Sequence, residues 1–236
     1  MYEAKFSDLS SISLLSELEE LDITSGRNIS DISPLGSLST LKKLSLINID
    51  NDNIESIEVL SHLTNLEHLE IWYDDKYYRE LLPLQNLAVL KITLLYQKDF
   101  DLHYIAKLHS LKEFELHFSF LNPNLFNVDQ LQNLTNIERL SIRFANTLDI
   151  SWISNLQKLK ELELQGSTIL DITPLLLLPE LTDVNLLRTT VKDITPLLES
   201  TTIKSIFGPI VENGGELMRL FSERGINFQP YSEGDR

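Results

Sequence analysis

Apolar residues recur along the chain in one phrase: Ile137-x-x-Leu140-x-Ile142, Leu159-x-x-Leu162-x-Leu164, Leu181-x-x-Val184-x-Leu186 and Ile203-x-x-Ile206. The phrases open at residues 137, 159, 181 and 203, each 22 residues after the last. One such run would fit a lone strand or helix, whereas equal intervals mean a structural unit used repeatedly. Carried backwards, the register opens at Leu18, Leu41, Leu66, Leu87 and Leu111, at intervals of 21 to 26 residues, so the early units carry insertions. The second and third apolar positions of each phrase are two apart, the period of a strand with one buried face. A strand that recurs this often has to be brought back by a return segment, so neighbouring strands are expected to run parallel.

The returns are near-copies of one another: Asp31-Ile32-Ser33-Pro34-Leu35, Asp171-Ile172-Thr173-Pro174-Leu175 and Asp193-Ile194-Thr195-Pro196-Leu197. Ser or Thr before Pro reads as a helix N-cap followed by the first helical position, where the missing N–H costs nothing. So few residues remain before the next strand that the helix has room for one turn, of 3-10 type.

These residues resemble the leucine-rich-repeat family. The 22-residue spacing and the Asp-Ile-Ser/Thr-Pro-Leu phrase are similar to the short class found in internalins and in a eukaryotic phosphatase regulatory subunit, and the likeness runs from about Asp8 to Phe207. It implies an α/β repeat fold, a single right-handed solenoid of about eight or nine strands. A parallel sheet is expected on the concave face, with loops and short 3-10 turns on the convex face. The family usually places Asn eight residues after the first Leu; here Ser167 and Thr189 hold that place and Ala145 replaces it. Hydroxyls partly substitute, so a less regular loop ladder is expected.

Residues 1–17 read as an N-terminal partial repeat or cap, 18–208 as the repeats and 209–236 as a C-terminal cap. In the last, Pro209 and Gly214-Gly215 break the pattern, and Glu216 to Glu223 reads as a helix with Leu217, Leu220 and Phe221 on one face. Gly225 is its C′ stop and Ile226-Asn227-Phe228 a short edge strand.

Charge and composition narrow the partner. Against 20 basic residues stand 35 acidic ones, a net charge of −15. That opposes a nucleic-acid footprint, which needs concentrated basic surface, and docking on anionic lipid. No cysteine is present, so disulfides, thiolate chemistry and cysteine–zinc clusters are excluded. No apolar run approaches membrane-spanning length, and the start Met1-Tyr2-Glu3-Ala4-Lys5-Phe6 lacks signal-peptide character. A soluble, cytoplasmic monomer is expected; an export signal already removed would make the chain a secreted or surface protein.

Candidate chemistry is sparse. His62, His103 and His109 fall in returns, while His68 and His117 fall on outward strand positions too far apart for one metal. No phosphate loop, nucleophile elbow or zinc-protease motif occurs, so neither catalysis nor a cofactor is expected. Period two places Glu113 with Glu115, and Glu161 with Glu163, on one outward face beside Glu20, Asp22, Glu70 and Asp183. This reads either as a solvated surface or as an acidic strip for a basic partner, interrupted by Lys43, Lys91 and Arg139. After each strand the chain carries Trp72-Tyr73, Thr93-Leu94, His117-Phe118 and Arg143-Phe144. Stacked across neighbouring strands these form an aromatic and arginine cluster of the types that anchor protein partners. Alternatively Tyr73, Leu94, Phe118 and Phe144 turn inward and fill space beneath the longer loops. The expected function is protein binding, through Trp72, Tyr73, His117, Phe118, Arg143 and Phe144, with Glu70, Glu113 and Glu115 steering another protein with a basic surface.

Overall fold

The structure, a computed structural model, describes residues 8–24, 29–47, 54, 56–72, 78–96, 99–119, 123–191, 193–209, 211 and 213–231. In chain order its strands are β1 (Glu20–Ile23), β2 (Lys43–Leu46), β3 (His68–Trp72), β4 (Val89–Leu94), β5 (Asp99–Asp101), β6 (Glu113–Phe118) and β7 (Asn124–Phe126). There follow β8 (Arg139–Arg143), β9 (Thr147–Leu148), β10 (Glu161–Glu163), β11 (Thr168–Ile169), β12 (Asp183–Asn185), β13 (Ser205–Gly208) and β14 (Asn227–Pro230). Ten of them build one sheet in the order β1-β2-β3-β4-β6-β8-β10-β12-β13-β14. Its pairings are all parallel, and every repeat sits beside the next in sequence: a leucine-rich-repeat solenoid. The tenth strand is β14, which follows the last repeat and adds to β13.

Register makes the core one spine. Leu44, Leu69, Leu90, Phe114, Leu140, Leu162, Val184, Ile206 and Phe228 are partners in successive strands and are all buried. Each fully buried leucine of such a row contributes about 1.5–3 kcal/mol. The opposite positions of the strands point away from this core and are exposed or half-buried in most units, whereas Ser45 and Ser141 among them are buried.

Among the described residues the returns between repeats hold one 3-10 turn each, as at Ser33–Ser37, Thr173–Leu177 and Thr195–Glu199, while the return from β13 to β14 holds the helix Gly214–Glu223. The expected capping residue is corrected by one element. Ser33, Thr173 and Thr195 begin the turn, and none caps it through its side chain. The aspartate two residues earlier takes that role: Asp31, Asp171 and Asp193 Oδ1 accept the N–H of Ser33, Thr173 and Thr195 at 2.8, 2.9 and 2.8 Å. This is an Asx turn, and Asp149 repeats it with the N–H of Ser151 at 2.9 Å.

One set of hydroxyl bonds braces the turns after the strands, between units at Ser167 and within its own turn at Thr189. Ser167 Oγ accepts the Ala145 N–H at 3.2 Å, and Thr189 Oγ1 donates to the Leu186 carbonyl at 2.8 Å, so the hydroxyls do bond the turn backbone. A ladder runs just ahead of the strands. Asn65, Asn86 and Asn136 Nδ2 donate to the carbonyls of Ser39, Thr64 and His109 in the preceding unit, at 2.7, 3.0 and 3.0 Å.

A small sheet of β9 with β11 lies in the regular units that open at residues 137 and 159, and another of β5 with β7 in the longer middle units. Beneath them Tyr78, Phe100 and Phe118 form a buried aromatic chain, with ring centres 5.7 and 6.4 Å apart. Leu125 packs against the core while Phe126 is exposed; Phe120 and Leu121 lie outside the described residues. At the C-terminal end the helix α1 (Gly214–Glu223) packs on β14, with Phe221 and Phe228 rings 5.1 Å apart. Gly225, at φ +76, closes the helix: its N–H reaches the Ser222 carbonyl and that of Ile226 reaches Phe221, both at 2.9 Å.

Candidate functional site

Strand parity and register place the outward side chains in columns across the sheet. One column runs Glu20, Lys43, His68, Val89, Glu113, Arg139, Glu161 and Asp183. The next runs Asp22, Ser45, Glu70, Lys91, Glu115, Ser141, Glu163, Asn185 and Phe207. A third, shorter row holds Trp72, Thr93, His117 and Arg143. Adjacent strands lie about 4.8 Å apart, so Trp72 and Arg143 are separated by roughly 14 Å of one continuous row.

The acids of the centre are already paired. Lys91 Nζ binds Glu113 at 2.6 Å and Glu115 at 2.8 Å. Arg139 reaches Glu161 at 2.8 Å, and Arg143 reaches Glu163 at 2.6 Å. Glu163 also accepts from Ser141 at 3.0 Å and from Asn185 at 2.8 Å. Burial pushes Glu115 upward, but the hydrogen bond and charge of Lys91 outweigh it, and its carboxyl settles below the usual range. Among the described residues Glu70 has no such partner, and burial raises its pKa despite the pull of Lys91.

His117 is half-buried. Desolvation first, and Arg143 second, hold its pKa below the ordinary histidine value, against the opposing pull of Glu115 and Glu163. Its Nε2 lies 3.4 Å from Ser141 Oγ and 3.6 Å from Glu115 Oε2. A nucleophilic triad needs the acid on the other ring nitrogen and the serine proton on the histidine. Here both groups meet one nitrogen, and Ser141 donates to Glu163. The grouping is a charge network without triad geometry. Among the described residues no set of three or more His, Asp or Glu side chains is placed to hold a metal ion.

The predicted residues therefore divide. Trp72, His117 and Arg143 share the outer row and are partly exposed; Glu70, Glu113 and Glu115 flank them. Phe118 is corrected: it is 2% exposed, in edge contact with Phe100, and touches no solvent-facing surface. Its parity is opposite to that of His117, and the extra volume under the β5–β7 insertion gives its ring a place. Leu94 is buried for the same reason. Phe144 is intermediate, with φ +60 and its ring lying over the backbone of Gly166. Tyr73 lies outside the described residues.

Phe207, which the sequence places as a later member of the aromatic and arginine cluster with Leu187 and Arg188, stands in the second column, in register with Asn185. It is 38% exposed and borders a depression of about 480 Å³ floored by Ser141, Arg143, Glu163 and Asn185. The signal that would have found this grouping is the alternation of charge sign one repeat apart.

No family model matches the chain, and no curated protein matches it in sequence. Solved structures do resemble it. An internalin, inlF, of Listeria monocytogenes is 21% identical with a TM-score of 0.67, covering 97% of this chain and 79% of its own. Internalin C2 of the same organism is 23% identical with a TM-score of 0.53, over 89% and 78%. A leucine-rich-repeat protein of Leptospira interrogans is 15% identical with a TM-score of 0.52, over 93% and 74%. At these identities the likeness is one of fold.

Proposed function

We propose that the chain is a non-enzymatic protein-binding module whose partner docks on the solvent face of the parallel sheet. The observation that carries this reading is the row Trp72–Thr93–His117–Arg143 beside the depression bordered by Phe207. Trp and Arg are the residue types that dominate binding energy once desolvated. Arg143 is held by Glu163 before any partner arrives, so its ordering cost is already met within the chain. The net charge of −15 favours a partner with basic surface and opposes nucleic acid.

The test begins with affinity capture from the native cell and identification of what co-elutes. The double variant Trp72→Ala, Arg143→Ala should then lose that partner by more than about tenfold, since hot-spot truncations cost about 2 kcal/mol or more. Its circular dichroism should match the parent. Exposed Leu177→Ala, on the return turn Thr173–Leu177 and outside the row, serves as the control. Equal capture by the double variant and the parent would remove this face from consideration.

A further inference from the structure

The two ends of the sheet are finished differently. At the C-terminal end β14 carries Pro230 in its last position, and its apolar face is buried by α1. Proline and a covering helix are both ways to close a sheet edge. At the N-terminal end β1 has, among the described residues, a neighbour on one side alone. Its inward residues Leu21 and Ile23 stay partly exposed, whereas their register partners Leu44 and Leu46 are fully buried. The 3-10 turn before it, Ser10–Leu14, contains no buried residue, and Leu14 and Leu15 are 82% and 52% exposed.

Among the described residues the backbone there is unpaired in a defined pattern. The carbonyls of Glu19 and Ile23 bond β2 through the N–H groups of Lys43 and Ile47, at 3.0 and 2.9 Å. Alternation along a parallel strand then turns the N–H and C=O of Glu20 and Asp22 to the open edge. Their carboxylates are exposed, and among the described residues neither has an ion-pair partner; the nearby Lys42 is committed to Glu19 at 2.8 Å.

We infer that β1 is a docking edge for an extended segment of another protein in which basic and apolar residues alternate. Such a segment adds as the next strand, its main chain bonding Glu20 and Asp22. Its basic side chains fall beside those two carboxylates, and its apolar ones cover Leu21 and Ile23. Charge selects this occupant over a second copy of the chain. Two-fold pairing of β1 with itself sets acid against acid across the new ladder, which destabilises it. The segment is distinct from the partner proposed for the sheet face, since it bonds the main chain of β1, two strands away from Trp72 on β3.

The experiment titrates a short synthetic peptide of alternating lysine and valine into the full chain at low salt, and follows amide hydrogen exchange. The expected result is slowed exchange at Glu20 and Asp22. Binding should weaken on the order of tenfold in E20K/D22K, as two exposed pairs are reversed, and should be lost for a peptide N-methylated at alternate residues. E20Q/D22Q should fall between, and circular dichroism should report an unchanged fold for each variant. The inference is overturned by protection of these amides in the free monomer, by a free chain that sediments as a dimer with them protected, or by equal binding of the N-methylated peptide.

Discussion

Gly166→Ala tests how the rim of the candidate site is built. Gly166 sits at φ +72, and a methyl group there would lie 2.3 Å from Cδ1 and 2.7 Å from Cε1 of Phe144. The left-handed backbone alone costs a residue with a Cβ about 1–2 kcal/mol. Forcing the ring aside adds about 1–3 kcal/mol, the usual range for overpacking. Together they predict a loss of about 2–5 kcal/mol, or roughly 4–20 °C in Tm for a chain of this size. Phe144→Ala in the same chain removes the clash and leaves the backbone term, so the double variant should recover about 1–3 kcal/mol relative to additivity. Urea denaturation of the two single variants, the double variant and the parent measures this. A Gly166→Ala chain within about 0.5 kcal/mol of the parent, or strict additivity, would refute the contact. The result also bears on function, because a ring held against its own backbone affects stability before it affects any partner.

Phe118→Ala should cost about 3–5 kcal/mol in the same assay, the range for deleting a buried ring, while capture of the partner per folded molecule stays unchanged; lost capture without lost stability would put the ring back on the surface. Histidine titration should make the fold acid-sensitive. His68 and His117 have pKa values lowered by burial. In the unfolded chain they take protons near pH ~6.5, so stability declines as pH falls from there towards the lower folded values and then levels. Denaturation midpoints across that range should show this slope, and His117→Gln should reduce it; a slope of opposite sign would contradict the burial of both rings.

The fold was legible because the code for it is redundant. Leu140, Leu162 and Val184 were read as one buried row from spacing alone, and they are register partners in β8, β10 and β12. Equal spacing fixes which residues can be neighbours, and period two fixes which face they share. The middle units were harder. There the insertions replace a short turn by β5 and β7, and the space beneath is filled by Tyr78, Phe100 and Phe118. A lone aromatic after a strand does not reveal whether a cavity exists below it, and that decided Phe118. The capping error had a local origin. Ser and Thr before Pro fit an N-cap by composition, but the aspartate side chain reaches an N–H two residues on, and the 3-10 turn begins one place earlier, at the Ser or Thr itself.

The charged face was the least legible part, since a carboxylate's effect depends on what stands one repeat away. Along β6, Glu113 and Glu115 read as an acidic pair, but Lys91, 24 residues before Glu115 and in register with it, holds both. Arg139 and Glu161 repeat the arrangement at 22 residues. The centre of the sheet is therefore locally neutralised; apart from Glu20 and Asp22 on the edge strand β1, the uncompensated acids of the face among the described residues lie to either side of it, Glu70 on β3 and Asp183 on β12. Five strand steps part them, roughly 24 Å. A partner with basic groups about that far apart would be steered by both and would meet the Trp72–Arg143 row between them. Glu70→Lys and Asp183→Lys should each slow association, most at low salt, whereas Glu115→Gln, which removes a charge already answered by Lys91, should change it less. Stopped-flow association across a salt series separates the cases. If Glu115→Gln slows binding as much as the two outer reversals, steering comes from net charge and not from this spacing.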